Sequence, residues 1–368
     1  MWADANNDDL CAAVSVKGNR QMICVMNVNG PRRRDVARLL AGAVLLPAAT
    51  RAAAGIHQSQ FVPLGGIEQW IDIEGEDEAN PVLLVVHGGP GDVQWPQADK
   101  YLPWQKLFTV VQWDQRGAGH TYGHSGGDNT PDVTLRRIAD DGVELAEYLA
   151  RRFNKKKIIV LGHSWGSVVA VTMVRERPEL FAAYVGTGQV ESWAVMVQSQ
   201  FDLLLAKARA DKDETEIKEL EAIGKPDPSN TRQFFTFTRN YRSLWPLSDQ
   251  EWLNHLRAQA QTLKDNKDFE DDEKGQMFSG KSVLPDQVRE DLAKTSTRIG
   301  TAFFVIQGRD DVVTPTKAAM DYFNLVQAPH KELVLIPDAG HFAFMTSGSA
   351  FLAALVGKVR PIAVSRGA

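Results

Sequence analysis

Cysteine is almost missing: the 368-residue chain has two, Cys11 and Cys24, both in the extreme N-terminal stretch. Everything after them therefore lacks a thiol nucleophile, a disulfide and a thiolate metal site. A surplus of positive charge is missing too. With 41 Lys+Arg against 46 Asp+Glu the formal net charge is −5, and no basic stripe is offered to phosphates, so a nucleic-acid partner has no support. Internal repeats and low-complexity linkers are lacking. What is present, 43% hydrophobic and 24% charged residues, suits a soluble globular protein with one large core and an insertion. A small molecule or a short peptide is the expected substrate.

The N-terminal 55 residues carry a pattern of their own. Arg32-Arg33-Arg34 precede the apolar run Leu39 to Ala49 and the small residues Ala52-Ala53-Ala54. The run is too brief to span a bilayer, so no stable membrane insertion is expected, and the order reads as an export signal trimmed near Ala54. Paired arginines suggest the twin-arginine route to a periplasmic or secreted location. Against it stands the polar stretch before the arginines, which makes Met26 an alternative start. The competing reading is a cytoplasmic protein in which Leu39 to Ala49 is a buried helix.

Beyond the leader, Phe61–Leu64 and Ile67–Ile73 are strand-like runs joined by Gly65-Gly66, a hairpin signature. The continuous apolar runs Val82–Val86 and Phe108–Trp113 suit strands buried on both faces. Between Val133 and Phe153, Leu135, Ile138, Leu145 and Leu149 share a helical face, with Asp140, Asp141 and Glu144 assigned elsewhere. Strand-like Lys157–Leu161 then runs through Gly162-His163-Ser164-Trp165-Gly166 into helical Ser167–Val174. Thr301–Ile306 and Leu333–Ile336 repeat the strand-then-loop pattern around a helical stretch from Lys317 to Val326. Such alternation builds a mostly parallel sheet flanked by helices. Residues 56–190 and 298–368 are read as that sheet domain and 191–297, helix-prone and heavily charged, as an inserted helical cap. Its charge runs are read as solvated helix faces. Phe234, Phe235, Phe237, Tyr241 and Trp245 either line an acyl pocket or pack the cap on the core.

Gly162-His163-Ser164-Trp165-Gly166 fits the G-x-S-x-G nucleophile elbow, in which a tight turn between strand and helix thrusts out the serine. A serine hydroxyl needs a base, and the base needs a partner that holds its tautomer. In the α/β-hydrolase fold, which this pattern resembles, the acid and then the histidine follow the serine, each on a loop after a strand. Gly308-Arg309-Asp310-Asp311 and Gly340-His341-Phe342 stand at such places. The third position after the glycine selects Asp311 over Asp310 as orienting acid, with His341 as general base. Of the other histidines, His57, His124, His255 and His330 lack a strand-end context, and His163 is expected to point away from the serine. His87-Gly88-Gly89-Pro90-Gly91, after the Val82–Val86 strand, brings backbone close to a reacting carbonyl. One oxyanion-hole N–H is assigned to Trp165 and the other to Gly88, with Gly89 the alternative. Asp114 and Arg116, at another strand end, are read as a structural ion pair holding that loop.

Taken in order, His87-Gly88-Gly89-Pro90-Gly91, Trp113-Asp114-Gln115-Arg116-Gly117-Ala118-Gly119 and Gly162-His163-Ser164-Trp165-Gly166-Ser167 resemble the proline iminopeptidase (prolyl aminopeptidase) family of α/β hydrolases. The resemblance covers about Phe61 to Val190 and Arg298 to Val356. It implies release of an N-terminal residue, usually proline, from peptides, with neither metal nor organic cofactor. The sequence departs from the family at His120-Thr121, where arginine and serine are common, and at His163, where glycine is usual. Family members hold the substrate's ammonium with cap glutamates. Glu191 is the nearest candidate here, and a helix-start acid is its other reading. An esterase or lactonase acting on small acyl substrates uses the same triad and is the alternative function. Ser164 in the elbow disfavours the aspartate chemistry of epoxide hydrolases and dehalogenases.

Overall fold

The structure, a computed structural model, describes residues 10–16, 19–25, 55–228, 230 and 242–368. The expected export segment, Arg32 to Ala54, lies outside the described residues, as do Phe234, Phe235, Phe237 and Tyr241. By itself, the N-terminal unit shows one antiparallel hairpin, β1 (Leu10–Val16) with β2 (Asn19–Val25), in which Cys11 is in register with Cys24.

The larger unit is built on eight strands. They are β3 (Ile56–Leu64), β4 (Ile67–Gly75), β5 (Val82–Val86), β6 (Thr109–Trp113), β7 (Ile158–His163), β8 (Phe181–Thr187), β9 (Ala302–Gly308) and β10 (Lys331–Ile336). Their order across the sheet is β10-β9-β8-β7-β5-β6-β4-β3. Only the pairs β3–β4 and β4–β6 are antiparallel. Gly65 and Gly66 both take positive φ, 56° and 82°, so that Leu64 and Ile67 pair across a two-residue turn that other residues would strain.

Side chains alternate across the parallel strands into two cores. Leu84, Val160 and Val305 face α2 (Leu135–Arg152) and α3 (Trp165–Glu176). Leu83, Val85, Ile159, Leu161, Phe304 and Ile306 face the other way, toward Tyr101, Trp104, Phe351 and Leu355. The C-terminal stretch Gly348–Ser365 is apolar and long enough to cross a membrane, but it turns Phe351, Leu355, Val359 and Ala363 into this second core.

In α2 the apolar stripe is buried as expected, with one correction: Asp141 is also fully buried. It lies three residues after Ile138 and four before Leu145, on the inward face. There it accepts hydrogen bonds from Arg116 Nε at 2.7 Å, Gln69 Nε2 at 2.8 Å and Arg137 Nε at 2.8 Å. Asp141 is therefore the partner of Arg116, and the expected Asp114–Arg116 pair does not form. Asp114 instead accepts from the backbone N–H of His120 at 2.9 Å and pairs with its ring Nδ1 at 2.7 Å. Arg116 also reaches the carbonyls of Gly65 at 2.8 Å and Pro131 at 3.0 Å, so it ties the hairpin turn to α2.

Between β8 and β9 lie the helices α4 (Trp193–Asp211), α5 (Glu214–Ile223), α6 (Leu247–Leu263), α7 (Lys267–Arg289) and α8 (Leu292–Thr295), α1 being the short Gly119–His124. Val197, Phe201, Leu204, Ala208 and Leu220 give α4 and α5 a small core of their own. A last crossover helix, α9 (Thr316–Leu325), joins β9 to β10.

Candidate active site

Ser164 sits between β7 and α3 with φ 54° and ψ −122°, a conformation that costs a non-glycine residue about 1–3 kcal/mol and must be held by its surroundings. They hold it closely. The Ser164 N–H donates to Thr187 O at 3.0 Å, and the Ser164 carbonyl accepts from Ser167 N at 2.8 Å and Ser167 Oγ at 2.7 Å. A Cβ on Gly166 would stand 2.1 Å from Val86 O, and one on Gly162 would stand 2.4 Å from Gly166 O, so neither flank admits a side chain.

The histidine and the acid arrive from the ends of β10 and β9. Asp311 is buried, and its Oδ2 lies 3.0 Å from His341 Nδ1. The carboxylate is oriented by the N–H groups of Val313 and Thr314, both 2.9 Å from Oδ1, and by Thr314 Oγ1, 2.8 Å from Oδ2. Asp310 is exposed, and its N–H donates to Ala339 O. Burial opposes charge on His341, but Asp311, aided by Asp249 and Asp92, lifts its pKa above the usual imidazole value. Glycines again make the room: a Cβ on Gly188 would lie 2.7 Å from His341 Cε1.

His163 turns toward the histidine. Its Nε2 donates to His341 O at 3.2 Å, and its ring lies 4.7 Å from that of His341 and 4.6 Å from that of Phe344. Burial first, and then the positive neighbour His341, hold its pKa well below the usual value, so it acts as a neutral prop.

Gly88 lies against the serine: a Cβ there would be 3.1 Å from Ser164 Cβ, whereas one on Gly89 would meet Asp92 N at 2.6 Å. Gly88 thus packs on the serine, while Gly89 lines the cavity with it. His87 anchors the loop. Its Nε2 accepts from Gln115 N at 3.2 Å, which leaves the proton on Nδ1, 3.0 Å from Gly88 O, and burial keeps the ring neutral. Trp165 begins α3 beside the serine and is buried.

A cavity of about 570 Å³ opens on Ser164, Trp165 and Gly89. Its walls are mostly apolar, with Val168, Val190, Trp193, Met196, Leu284 and Val313 among them. Two carboxylates stand in this lining, the expected Glu191 and also Glu290. Burial, with Asp291 and Asp321 adding to it and Lys317 opposing, raises the Glu191 pKa above the usual carboxylate value. Glu290 accepts from Thr295 Oγ1 at 2.6 Å. Sequence reading missed it because it stands about a hundred residues after Glu191 at the end of a charged helix, and only folding brings the two to one cavity. Trp245, from the aromatic cluster, packs 6.1 Å from Phe342 beside the histidine loop and is not among the cavity residues.

Strand order, elbow and loops define an α/β hydrolase. The family description "alpha/beta hydrolase fold" matches residues 81–347, and the chain belongs to that family. Within it, the chain is 26% identical over 297 residues to the probable aminopeptidase YbaC of Bacillus subtilis (strain 168), covering 78% of this chain and 92% of that protein. It is 24% identical to a probable proline iminopeptidase of Leptolyngbya boryana, over 82% of this chain and 92% of the relative. The crystal structure of a proline iminopeptidase-related protein from Thermus thermophilus superimposes with a TM-score of 0.57 at 19% identity. It covers 83% of this chain and 99% of that one, a likeness of fold.

Proposed function

We propose that this hydrolase releases an N-terminal residue, such as proline, from short peptides through an acyl-enzyme on Ser164. His341 takes the proton of Ser164 Oγ as the oxygen bonds to the scissile carbonyl carbon, and then passes it to the leaving amine. Asp311 holds the imidazole by Nδ1 and stabilises its charged form. The N–H groups of Gly88 and Trp165 receive the oxyanion. Water then attacks the acyl carbon with His341 again as base, and the free enzyme returns.

The observation that carries the peptide reading is the pair of carboxylates, Glu191 and Glu290, in the lining of the cavity that holds Ser164. A free substrate ammonium drawn into this apolar space needs such partners. The relatives named as aminopeptidase and proline iminopeptidase point the same way. The largely apolar walls of the cavity, and Lys281 in the same lining as a cation of the protein's own for the carboxylates, favour a second reading, an esterase or lactonase on small acyl groups.

Rates on proline anilide, N-acetylproline anilide, other aminoacyl anilides and short acyl esters separate the two. Acetylation is expected to abolish cleavage, and Glu191→Gln or Glu290→Gln to cost about 2–5 kcal/mol in kcat/KM on the free-amine substrate. Equal rates on the free and acetylated anilides, or reaction of the esters alone, refute the aminopeptidase reading in favour of the esterase.

A further inference from the structure

Asp311 is not the only carboxylate on the histidine loop. Asp249, in the first turn of α6, is 1% exposed, and its Oδ2 accepts the backbone N–H of His341 at 2.6 Å. The backbone N–H of Phe342 also favours the charged form of this carboxylate, while Oδ1 is buried and has no hydrogen-bond partner among the described residues. The loop is pressed against the helix here: a Cβ on Gly340 would stand 2.2 Å from Asp249 Oδ2 and 2.6 Å from Pro246 Cγ. Trp245 and Trp252 flank Phe342 at 6.1 Å and 6.5 Å. A loop tie needs only a neutral acceptor. A buried anion costs far more unless a cation repays it, and the imidazolium that forms on His341 is that cation.

We propose that Asp249 is a positioning residue, which from the segment between β8 and β9 fixes the His341 backbone and, as a second anion beside Asp311, sets the basicity of His341. The inference rests on the serine-hydrolase reading above. The groups facing His341 are Asp311 after β9, Asp92 after β5, Asp249 on α6 and neutral His163 at the end of β7. Those facing Asp249 among the described residues are His341 and Asp311. Burial raises the Asp249 pKa, and the N–H donors of His341 and Phe342 and the charge of His341 oppose the rise. With the anion in place, His341 holds its proton to higher pH, so the acid limb of the rate profile lies higher than Asp311 and Asp92 alone would set it.

The experiment uses the full chain and whichever anilide or ester the wild type hydrolyses. Asp249→Asn keeps an acceptor for the loop and loses the charge. It is expected to hold kcat at the optimum within about tenfold, leave KM unchanged and move the acid limb of kcat/KM down by about half a pH unit. Asp249→Ala removes the tie and is expected to lose about a hundredfold in kcat at constant KM. Asp92, which burial lifts to a pKa of about 6, titrates in the same window. The Asn comparison is therefore repeated in an Asp92→Asn background, where the shift is expected to persist.

An acid limb unmoved by Asp249→Asn, a shift that vanishes in the Asp92→Asn background, or wild-type kcat in Asp249→Ala each overturns the proposal. If Asp249→Ala does not fold, the Asn variant decides alone. Phosphonate labelling of wild-type Ser164 is run first: with the label in place, a negative pH result rejects the role of Asp249 alone, whereas no label rejects the serine-hydrolase reading beneath it.

Discussion

Ser164, His341 and Asp311 come from three loops, and each is held by hydrogen bonds that tie it to neighbouring segments. Because the three work as a unit in the proposed mechanism, their removals are not expected to add. Ser164→Ala and His341→Ala should each lower kcat by roughly 10⁴–10⁶, and the double variant should be little worse. Single-turnover rates check this, together with mass spectrometry of the phosphonate adduct. An adduct away from Ser164, or near-wild-type turnover in Ser164→Ala, would show that the residue is not the nucleophile. At this scale the tight turn at Ser164 was legible because its glycine flanks are local in sequence. The choice of Asp311 over Asp310 rested on a spacing rule. Its physical content appears only in the fold, where Asp311 meets two N–H groups, a hydroxyl and the imidazole while Asp310 faces water.

Helix α7 shows what a charge run can hide. Its Glu270–Lys274 pair is solvated, as charge runs usually are, whereas Asp271, paired with Lys267, already lies against Gly123 of α1. The next residue around, Asp272, turns inward with Asp92 and Asp114 as its charged neighbours. Gly275 and Ser279 of α7 press on the turn at Gly117–Gly119, with Ser279 Oγ donating to Gly117 O at 2.7 Å, and Gly91 packs on the helix at Gln276. Helix, β6 loop and the His87–Gly91 loop are thus clamped together around acids that repel. Burial, with Asp92, Asp114 and Glu273 adding to it, raises the Asp272 pKa to about 8, and burial raises that of Asp92 to about 6. An acid whose folded pKa is raised binds its proton more tightly folded than unfolded. Its contribution to stability is full below the ordinary 3.8 and is lost as pH rises through the folded value near 8. Asp272→Asn is therefore expected to raise Tm, by an amount that grows from about pH 4 to about pH 8 and then levels off. Thermal unfolding across that range measures it, and a Tm difference that shrinks with rising pH would mean that Asp272 is ionised and well partnered. The amphipathic reading of α2 erred similarly, by assigning Asp141 by residue type to the solvent side when its position, between Ile138 and Leu145, lies on the buried stripe.

At the scale of the whole chain, we propose that the Arg32 to Ala54 pattern is an export signal, on sequence alone. Intact-mass analysis of protein from the producing cell is expected to find a species beginning near residue 55. A full-length cytosolic form that still carries Cys11 and Cys24 would refute it. The sequence by itself determined the sheet and the strand-turn-helix elbow at Ser164. Those depend on features that are local or periodic: continuous apolar runs, glycines at tight turns, a helical stripe. Tertiary structure alone decided which charges meet. Arg116 chose Asp141 over Asp114, Glu290 joined Glu191 in one cavity, and Asp249 reached a histidine loop about ninety residues further on. Pairings between distant parts of the chain follow from how helices seat on the sheet, and a charged residue carries no local mark of the partner that burial will supply.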